Sequence, residues 1–562
     1  MTYPYENLEN FTLPNLLNRS VELYGERPAL GKAGQEAFTY NDLNQKVEAM
    51  VKLLQANGIC EGDKVLLLSE NMPNWAVAYF SITSFGAVVV PVLPDFHPSD
   101  VHHIIRHSEA KAVFVSDKYL ATIEESGETD VSFVINLDNL ELIEKLTNRD
   151  YLDKIKEKAK EGLKKISKSC NKRYEPKEDD LASLLYTSGT TGHSKGVMLS
   201  HKNLVTNAMS AYDQVTITPN DSFLSILPLA HTLECTVGLT VPLLHGSSVY
   251  YIDKVPTPSV LLKAFGVVKP TMMVSVPLII EKIYKNKVLP KFTGSFIMRT
   301  LYDIPFFRKK LNAIAGKKLI ETFGGRLRFF GIGGAGISPY VEKFLIEAKF
   351  PFIIGYGLTE TAPLLAGSHL GKAIKHGSTG LAMAGVELAI KDKDLNGRGE
   401  IIAKGPSVML GYYKDEEKTA EVIEDGWFLT GDLGYIDSDG FLFINGRSKN
   451  VIIGPGGENI YPEQIEATIN QNEAVMDSLM MMRDGKLIAK VHLDYELIDK
   501  KFHAETNPDA QVREDIANLL EEMRVNVNSQ ISSFSRMVKF VEQIEPFVKT
   551  PTKKIKRYLH VD

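Results

Sequence analysis

Residues 186–201 read Tyr186-Thr-Ser-Gly-Thr-Thr-Gly-His-Ser-Lys-Gly-Val-Met-Leu-Ser-His201. The hydroxyl and glycine residues of this stretch include Ser188, Gly189, Thr190, Thr191 and Gly192. Hydroxyl groups donate hydrogen bonds, glycines let backbone N–H groups come close to a ligand, and Lys195 adds a positive charge. The combination predicts a polyphosphate-binding loop after an apolar run, and a flexible linker is the alternative. The loop is not a Walker A motif, because no Gly-Lys-Ser/Thr run follows Gly192.

Other short motifs follow this loop in order along the chain. They are Pro228-Leu-Ala-His231-Thr-Leu-Glu234, Gly333-Gly-Ala-Gly336, Gly355-Tyr-Gly-Leu-Thr-Glu-Thr361, Thr430-Gly-Asp432, Gly446-Arg-Ser-Lys449, Gly456-Gly-Glu-Asn-Ile-Tyr-Pro462 and Lys549-Thr-Pro-Thr-Lys-Lys554-Ile-Lys-Arg557. Together they resemble the motifs of the adenylate-forming superfamily, which contains acyl-CoA synthetases, peptide-synthetase adenylation domains and luciferases. The resemblance runs from about Phe11 to the last residues. Several of these motifs resemble the versions found in the long-chain fatty acyl-CoA synthetases of this superfamily.

Length and composition are those of a globular protein with at least two domains. The chain has 562 residues, which exceeds the size that a single hydrophobic core usually supports. Apolar residues make up 44% of the chain and charged residues 24%. Its net charge of −6 creates no field that would recruit nucleic acid. The N-terminus lacks a secretory signal, no apolar run approaches ~20 residues, and Cys60, Cys170 and Cys235 are scattered, as in a reducing compartment. We therefore expect a cytoplasmic protein without a structural zinc site.

Alternating apolar runs and helical patterns predict an α/β fold. The pattern predicts a strand at Val65–Leu68, a helix at 74–80, and further buried strands at 87–92, 112–115, 249–252, 272–275 and 327–330. Such alternation indicates a large N-terminal domain of parallel sheets covered by helices, to which the resemblance adds a barrel-like subdomain. Helices at 463–470 and 516–527 and strands at 479–482 and 487–493 predict a small, mobile α+β C-terminal domain. The predicted division is 1–446 and 447–562, and the resemblance places a hinge near Lys449.

The resemblance implies a two-step reaction that uses ATP, Mg²⁺ and coenzyme A. A carboxylate first attacks the α-phosphorus of ATP, giving an acyl-adenylate and pyrophosphate, and a thiol then displaces AMP to form a thioester. Because the first step joins two anions, the site needs cations and hydrogen-bond donors at the phosphates. By resemblance, Glu360 and Thr187 would hold Mg²⁺, and a helix N-terminal carboxylate is the alternative interpretation of Glu360.

The resemblance also assigns nucleotide binding to particular residues. The implied set is Thr187, Ser188, Gly189, Thr190, Thr191, Gly192, Lys195, Gly333, Gly334, Ala335, Gly355, Tyr356, Gly357, Thr359, Asp432, Arg447 and Lys449. Tyr356 would stack on adenine, Thr359 would bind the α-phosphate, and Asp432 would accept hydrogen bonds from the ribose hydroxyls. A loop aromatic packed on the core is the alternative for Tyr356.

The catalytic residues implied by the resemblance are Lys554, His231, Thr359 and Glu360. The usual family pattern has a glycine before the catalytic lysine; this chain has Lys553 there, and aligning Ile555-Lys-Arg557 assigns the role to Lys554. A lysine suits the task, because its flexible point charge can reach both the carboxylate and the α-phosphate. A solvated basic tail is the alternative for this lysine, and a satisfied core histidine is the alternative for His231.

Three functions stay open at the level of sequence. The first is a ligase that joins medium- to long-chain fatty acids to coenzyme A, with Thr236–Leu244 as either a channel wall or plain core helix. The second is an adenylating enzyme that uses acyl carrier protein as acceptor or an aryl acid as substrate. The third is a nucleotide- or acyl-binding paralogue without turnover, which only Lys553 in place of glycine supports.

Two basic segments have no place in these motifs. Phe292–Lys318 combines aromatic and basic residues, so it can touch membrane lipid, although a helix packed on the large domain is the favoured interpretation. A peripheral position at the inner face of the membrane is therefore the alternative to a free cytoplasmic one. Tyr151–Arg173, with nine Lys or Arg and three Asp or Glu, is expected to form a solvated helix or linker.

Overall fold

The computed structural model describes residues 5–127, 130–143, 174–187, 194–454, 458–502, 508–550 and 554–560. Four segments or residues with a sequence-based expectation are not among these residues. The basic segment 151–173, the phosphate loop 188–193, the glycine-rich turn 455–457 and Lys553 lie outside the described residues.

Short strands and helices alternate through the chain. The strands are β1 Pro28–Lys32, β2 Phe38–Thr39, β3 Lys64–Leu68, β4 Val88–Val92, β5 Ala112–Val115, β6 Phe133–Asn136, β7 Glu141–Leu142, β8 Leu181–Thr187, β9 Lys195–Ser200, β10 Ser222–Ser225, β11 Ser248–Tyr251, β12 Met272–Ser275, β13 Phe329–Ile332, β14 Phe352–Gly357, β15 Leu364–Gly367, β16 Leu381–Ala382, β17 Glu387–Lys391, β18 Gly399–Lys404, β19 Gly411–Tyr412, β20 Ile423–Glu424, β21 Trp427–Ile436, β22 Leu442–Arg447, β23 Ile452–Ile453, β24 Asn459–Ile460, β25 Val475–Arg483, β26 Lys486–Leu493 and β27 Lys539–Glu542. The α-helices are α1 Leu13–Tyr24, α2 Tyr40–Ala56, α3 Pro73–Thr83, α4 Pro98–Ser108, α5 Leu120–Glu124, α6 His201–Ser210, α7 Val241–Leu244, α8 Pro258–Val268, α9 Pro277–Ile283, α10 Leu289–Thr293, α11 Phe296–Asp303, α12 Pro305–Thr322, α13 Pro339–Glu347, α14 Glu416–Val422, α15 Pro462–Ile469, α16 Tyr495–Phe502 and α17 Asp509–Gln530. Two π-helices lie at Glu234–Thr240 and Tyr284–Val288.

Two large sheets form the centre of the molecule. Their strand orders are β16-β15-β14-β13-β12-β10-β11-β1-β2 and β19-β9-β8-β4-β3-β5-β6-β7. The central strands of both sheets are parallel, whereas the strands toward the ends of each sheet, including the pairs β14–β15 and β8–β9, are antiparallel. This confirms the predicted α/β architecture, because parallel strands need helical crossovers on the faces of the sheet.

The burial of the central strands explains their composition. All five residues of β4, Val-Val-Val-Pro-Val, are buried, as expected for a strand covered on both faces. The neighbouring helix α3 is also buried almost throughout, with Trp75 and Tyr79 stacked at 5.3 Å between ring centroids. The runs predicted as strands at 65–68, 112–115 and 272–275 are therefore confirmed as β3, β5 and β12.

Two smaller units follow the large sheets. Strands β17, β18, β20, β21 and β22 form an antiparallel sheet where the resemblance implied a barrel-like subdomain. After it, β25, β26 and β27 form a three-stranded sheet that packs with α15 and α17 around a core drawn from residues 460–540. The small α+β unit is thus confirmed, while the exact boundary after Gly446 stays a prediction.

The structure differs from the sequence expectations in three details. The strand expected at 327–330 is β13, two residues later, because its ladder with β12 begins at Phe329. The helical run at 236–244 begins as a π-helix, not as a regular helix. Cys235 is a buried free thiol, whereas Cys60 is disulfide-bonded although its spacing in the sequence indicated no pair.

In the described part of the chain, helices fall short of the length and apolar character that a bilayer span requires.

Candidate active site

The two glycine-rich motifs meet at the carboxyl edge of the nine-stranded sheet. Strands β13 and β14 are parallel neighbours, with Ile332 opposite Ile354, so the loop at Gly333–Gly336 lies beside Gly355–Gly357. Gly334 has φ +83° and is exposed, which a side chain would disfavour. A Cβ on Gly357 would lie 1.7 Å from the Pro363 carbonyl oxygen. Both motifs therefore need glycine for backbone reasons, and they leave an open shelf in front of the sheet.

The motif at Pro228–Glu234 borders this shelf. A Cβ on Gly333 would lie 3.1 Å from Leu233 Cδ2, so the two motifs pack directly against each other. His231 Nδ1 accepts a hydrogen bond from the Leu233 backbone N–H at 3.2 Å. Burial and the nearby Lys554 ammonium lower the pKa of His231 to about 4. The imidazole is neutral at physiological pH, with its proton on Nε2.

A carboxylate, a phenol and a guanidinium lie together beyond the end of β14. The Tyr356 hydroxyl donates to Asp432 Oδ2 at 2.8 Å, and Arg447 Nε lies 3.0 Å from Asp432 Oδ1. The pairing of β21 with β22 places Asp432 opposite Arg447. Burial and the Asp432 charge raise the pKa of Tyr356. Each Asp432 oxygen keeps a further lone pair that can accept a ligand hydroxyl.

The predicted metal ligands lie on the other side of the same edge. Glu360 belongs to a short 3₁₀ segment, Thr359–Thr361, and its Oε1 accepts a hydrogen bond from the Tyr412 hydroxyl at 3.0 Å. The Lys195 ammonium lies 5.0 Å from the centre of the Tyr412 ring. Thr187 is opposite Lys195 in the β8–β9 ladder, at the root of the phosphate loop. The structure thus brings these predicted residues to one place.

This corner of the site is strongly cationic. Burial together with the Lys418 and Lys449 charges lowers the pKa of Lys195, and Glu360 and Asp415 oppose that shift. A carboxylate and a hydroxyl are hard oxygen ligands of the kind Mg²⁺ takes alongside phosphate and water. The donor set at Glu360 and Thr187 therefore fits this ion. The cations around it fit the phosphates of a nucleotide.

The last predicted residue reaches the site from the small unit. Lys554 lies on a hairpin in which the Thr550 N–H donates to the Lys554 carbonyl at 2.7 Å. Lys549 and Ile555 pair across this hairpin in an antiparallel β-bridge. Lys554 is exposed as a whole residue, but burial of its ammonium group lowers its pKa. The Arg447 charge lowers that pKa further, and Asp432 and Glu360 raise it. The ammonium therefore reaches the cleft at this edge of the sheet, within electrostatic range of both carboxylates.

Two ion pairs hold this hairpin against the small sheet. Lys549 Nζ lies 2.7 Å from Asp477 Oδ2. On the other side, Arg557 pairs with the buried carboxylate of Glu466. Burial raises the pKa of Glu466 to about 7, against the opposing Arg557 charge. The hairpin is thus anchored at both ends, with Lys554 between them.

Most predicted site residues that the structure describes converge on this cleft. Ser188, Gly189, Thr190, Thr191 and Gly192 lie outside the described residues. Lys449 lies near Lys195, in the 3₁₀ segment Ser448–Asn450, and its part in a hinge stays a prediction. Sequence reasoning missed Tyr412 and Lys418, because only the pairing of β19 with β9 brings that segment to the site.

Comparisons with known proteins identify the family to which the chain belongs. The model of the AMP-binding enzyme family matches residues 17–413. The long-chain-fatty-acid–CoA ligase heimdall of Drosophila melanogaster is 30% identical over 523 residues, which are 84% of this chain and 75% of that protein. Peroxisomal long chain acyl-CoA synthetase 7 of Arabidopsis thaliana is 28% identical over 97% of this chain and 84% of its own length. The long-chain-fatty-acid–CoA ligase of Salmonella typhimurium is 29% identical over 83% and 82%.

Solved structures show the same fold. ATP-bound MatB from Rhodopseudomonas palustris has a TM-score of 0.73 at 24% identity, covering 97% of this chain and 98% of that one. O-succinylbenzoate coenzyme A synthetase (MenE) from Bacillus subtilis, in complex with ATP and magnesium ion, has a TM-score of 0.72 at 22% identity and the same coverage.

Proposed function

The chain belongs to the AMP-binding enzyme family, and from that premise we propose that it activates a fatty acid with ATP and joins it to coenzyme A. The observation that carries the proposal is the placement of Lys554, whose ammonium is within electrostatic range of Asp432, Glu360, Arg447 and His231. A cation there faces both anions that the first step must join. The names of the relatives support a long-chain acid as the substrate.

In the first step a carboxylate oxygen of the acid attacks the α-phosphorus of ATP. The bond from that phosphorus to the bridging oxygen breaks, and pyrophosphate leaves. We assign the ribose to Asp432, the adenine to the shelf formed by Gly333–Ala335 and Tyr356, and the α-phosphate to Thr359. Lys195, together with the predicted phosphate loop, would bind the departing pyrophosphate.

Lys554 and His231 would act on the attacking carboxylate. The ammonium offsets the repulsion between the two anions and stabilises the charge that builds at the α-phosphorus. The neutral His231 can donate its Nε2 proton as a hydrogen bond to a carboxylate oxygen, because its Nδ1 is already an acceptor. Mg²⁺ held by Glu360 and Thr187 would neutralise phosphate charge.

In the second step the thiol of coenzyme A attacks the acyl carbonyl carbon, the bond from that carbon to the AMP oxygen breaks, AMP leaves, and the thiol proton passes to solvent. We propose that the division at 1–446 and 447–562, with a hinge near Lys449, lets the small domain move between the steps. The separate core of the small domain supports this division.

The test is a turnover assay with ATP, Mg²⁺, coenzyme A and acids from C2 to C20 plus benzoate, following both pyrophosphate and AMP. We expect maximal AMP release with long-chain acids. Lys554→Ala should lower adenylation by about 10²- to 10³-fold, since it removes the cation at the reacting charges. Lys553→Ala is the matched control and should retain activity.

Other outcomes would redirect the proposal. Pyrophosphate release that yields a thioester only with acyl carrier protein would replace coenzyme A as the acceptor. A maximum with benzoate would replace the fatty acid. ATP binding without turnover on any acid would leave a binding paralogue.

A further inference from the structure

A strongly basic helical segment of the large domain contains none of the residues assigned to catalysis or nucleotide binding. Residues 285–318, called here the basic hairpin, contain α10, α11 and most of α12. They carry nine Lys or Arg and one Asp, a net charge of +8 in a chain whose total is −6. Its exposed cations are Lys287, Lys291, Arg299, Lys309, Lys310, Lys317 and Lys318.

Large apolar side chains are exposed among these cations. Phe296 is 85% exposed, Ile297 71% and Phe306 61%. No residue of α11 is buried. The exposed residues Phe306, Lys310, Ile314 and Lys317 recur at helical spacing and so share one face of α12. Apolar and cationic groups are therefore interleaved, and the Lys310 ammonium lies 4.4 Å from the centre of the Phe306 ring.

The opposite face of the basic hairpin is firmly packed. Arg308 donates to both carboxylate oxygens of Glu347 on α13, at 3.0 to 3.2 Å. The Tyr302 hydroxyl donates to Asn312 at 3.0 Å, and the Phe292 and Tyr302 rings stack at 4.8 Å. The exposed aromatics are thus held outward by a well-anchored scaffold.

This composition points to a lipid surface. Aromatic and aliphatic side chains insert at the boundary of headgroups and acyl chains, while lysines and arginines bind anionic headgroups. A symmetric dimer through the same face would bring two segments of +8 together, so a second copy of the chain is disfavoured. We propose that the basic hairpin docks the protein on the surface of an anionic bilayer.

The inference goes beyond the proposed function and depends only on this surface. Docking there would let the protein take up an acid that itself partitions into bilayers. The vesicle test below needs no turnover, so its result is independent of the activity assay.

The test is flotation of the full chain with phosphatidylglycerol–phosphatidylcholine vesicles and with phosphatidylcholine vesicles, at low and high salt. We expect binding to the anionic vesicles that weakens at high salt. Phe296→Ser/Ile297→Ser and Lys309→Glu/Lys310→Glu should each lower the partition coefficient by at least about tenfold. Lys393→Glu/Leu395→Ser, in the exposed turn between β17 and β18, is the matched control and should bind like the wild type.

Thermal melting of each variant verifies that it is folded. Absence of wild-type binding to anionic vesicles would overturn the proposal. Binding of both hairpin variants as strong as that of the wild type would overturn it as well. A wild-type dimer in sedimentation that Phe296→Ser/Ile297→Ser converts to a monomer would assign the surface to a second copy of the chain instead.

Discussion

Glu234 is a carboxyl group placed in the hydrophobic core, at the start of a π-helix. It is 1% exposed, and its Oε2 lacks a hydrogen-bond partner among the described residues. Gly238 makes room for it, because a Cβ there would lie 2.5 Å from Glu234 Oε1. Burial raises the pKa of Glu234 to about 8, against hydrogen bonds from Ser225 and Ile226. The group is therefore a neutral acid at physiological pH.

This pKa has a predictable effect on stability. The folded protein keeps the Glu234 proton up to about pH 8, whereas the unfolded chain loses it near the ordinary glutamate pKa of 4.5. Stability from this group is therefore lost as pH rises through that window, by at most about 1.4 kcal/mol per pH unit. Glu234→Gln removes this pH-dependent loss of stability. The melting temperature of the variant minus that of the wild type should therefore increase from pH 6 to pH 8.

Melting curves at several pH values provide the measurement, with the exposed substitution Glu522→Gln as control. The difference between Glu234→Gln and the wild type should level off above about pH 8. A difference in melting temperature between the variant and the wild type that stays constant from pH 6 to pH 8 would contradict a buried neutral carboxyl group at Glu234.

At the scale of elements, the hairpin that carries Lys554 depends on its ion pairs. Lys549 pairs with Asp477 on β25, and Arg557 pairs with Glu466 on α15. Because their charges are paired within the small unit, we infer that these residues act by holding Lys554 in place. A misplacement of about 1 Å can cost a catalytic group about 10²-fold in rate.

Asp477→Asn should therefore slow adenylation by about 10- to 100-fold. Transfer from supplied acyl-adenylate to coenzyme A should change little, because Lys554 is assigned to the first step. Pyrophosphate exchange and thioester formation measure the two half-reactions separately. Glu521→Gln removes a comparable ion pair with Arg524 on α17 and is the control. Equal losses in both half-reactions would show a general destabilisation of the small domain.

At the scale of the whole molecule, one lysine joins the two domains. Lys285 lies in the π-helix Tyr284–Val288 of the large domain, and its ammonium donates to the Asn472 and Val475 carbonyls of the small unit, at 3.4 and 3.1 Å. Burial lowers the pKa of Lys285, and Asp494 and Glu473 oppose that shift. These hydrogen bonds stabilise the arrangement in which Lys554 faces the cleft.

Lys285→Met keeps the length of the side chain and removes both hydrogen bonds. Hydrogen bonds from a charged donor contribute about 1.5–3 kcal/mol, so the population of this arrangement should fall by at least about tenfold relative to others. Energy transfer between dyes on the two domains should report a larger mean separation. Lys282→Met, on the exposed side of the preceding helix, should leave the distance unchanged, and an unchanged Lys285→Met distance would show that other contacts hold the domains.

The motifs could be predicted because each one is local. Gly333–Gly336 and Gly355–Thr361 each follow an apolar run, and parallel strands deliver such ends to one edge. The contacts between motifs were not predictable in the same way. Tyr412 and Glu360 are 52 residues apart, and Lys285 and Val475 are 190 apart. Nothing in either local pattern indicates its partner, because such pairs form only when sheets and domains pack.

The sequence by itself determined the α/β class and the order of the motifs, since hydrophobic periodicity and glycine spacing are properties of short segments. The choice of Lys554 over Lys553 came from the family resemblance and stays a prediction. Only the tertiary structure decided the electrostatic state of the site. The neutral His231, the protonated Glu234 and the clamped Lys554 hairpin all depend on burial and on charges from distant segments. Tertiary packing alone also left Phe296 and Phe306 exposed, because helical spacing shows which residues share a face but not which face is covered.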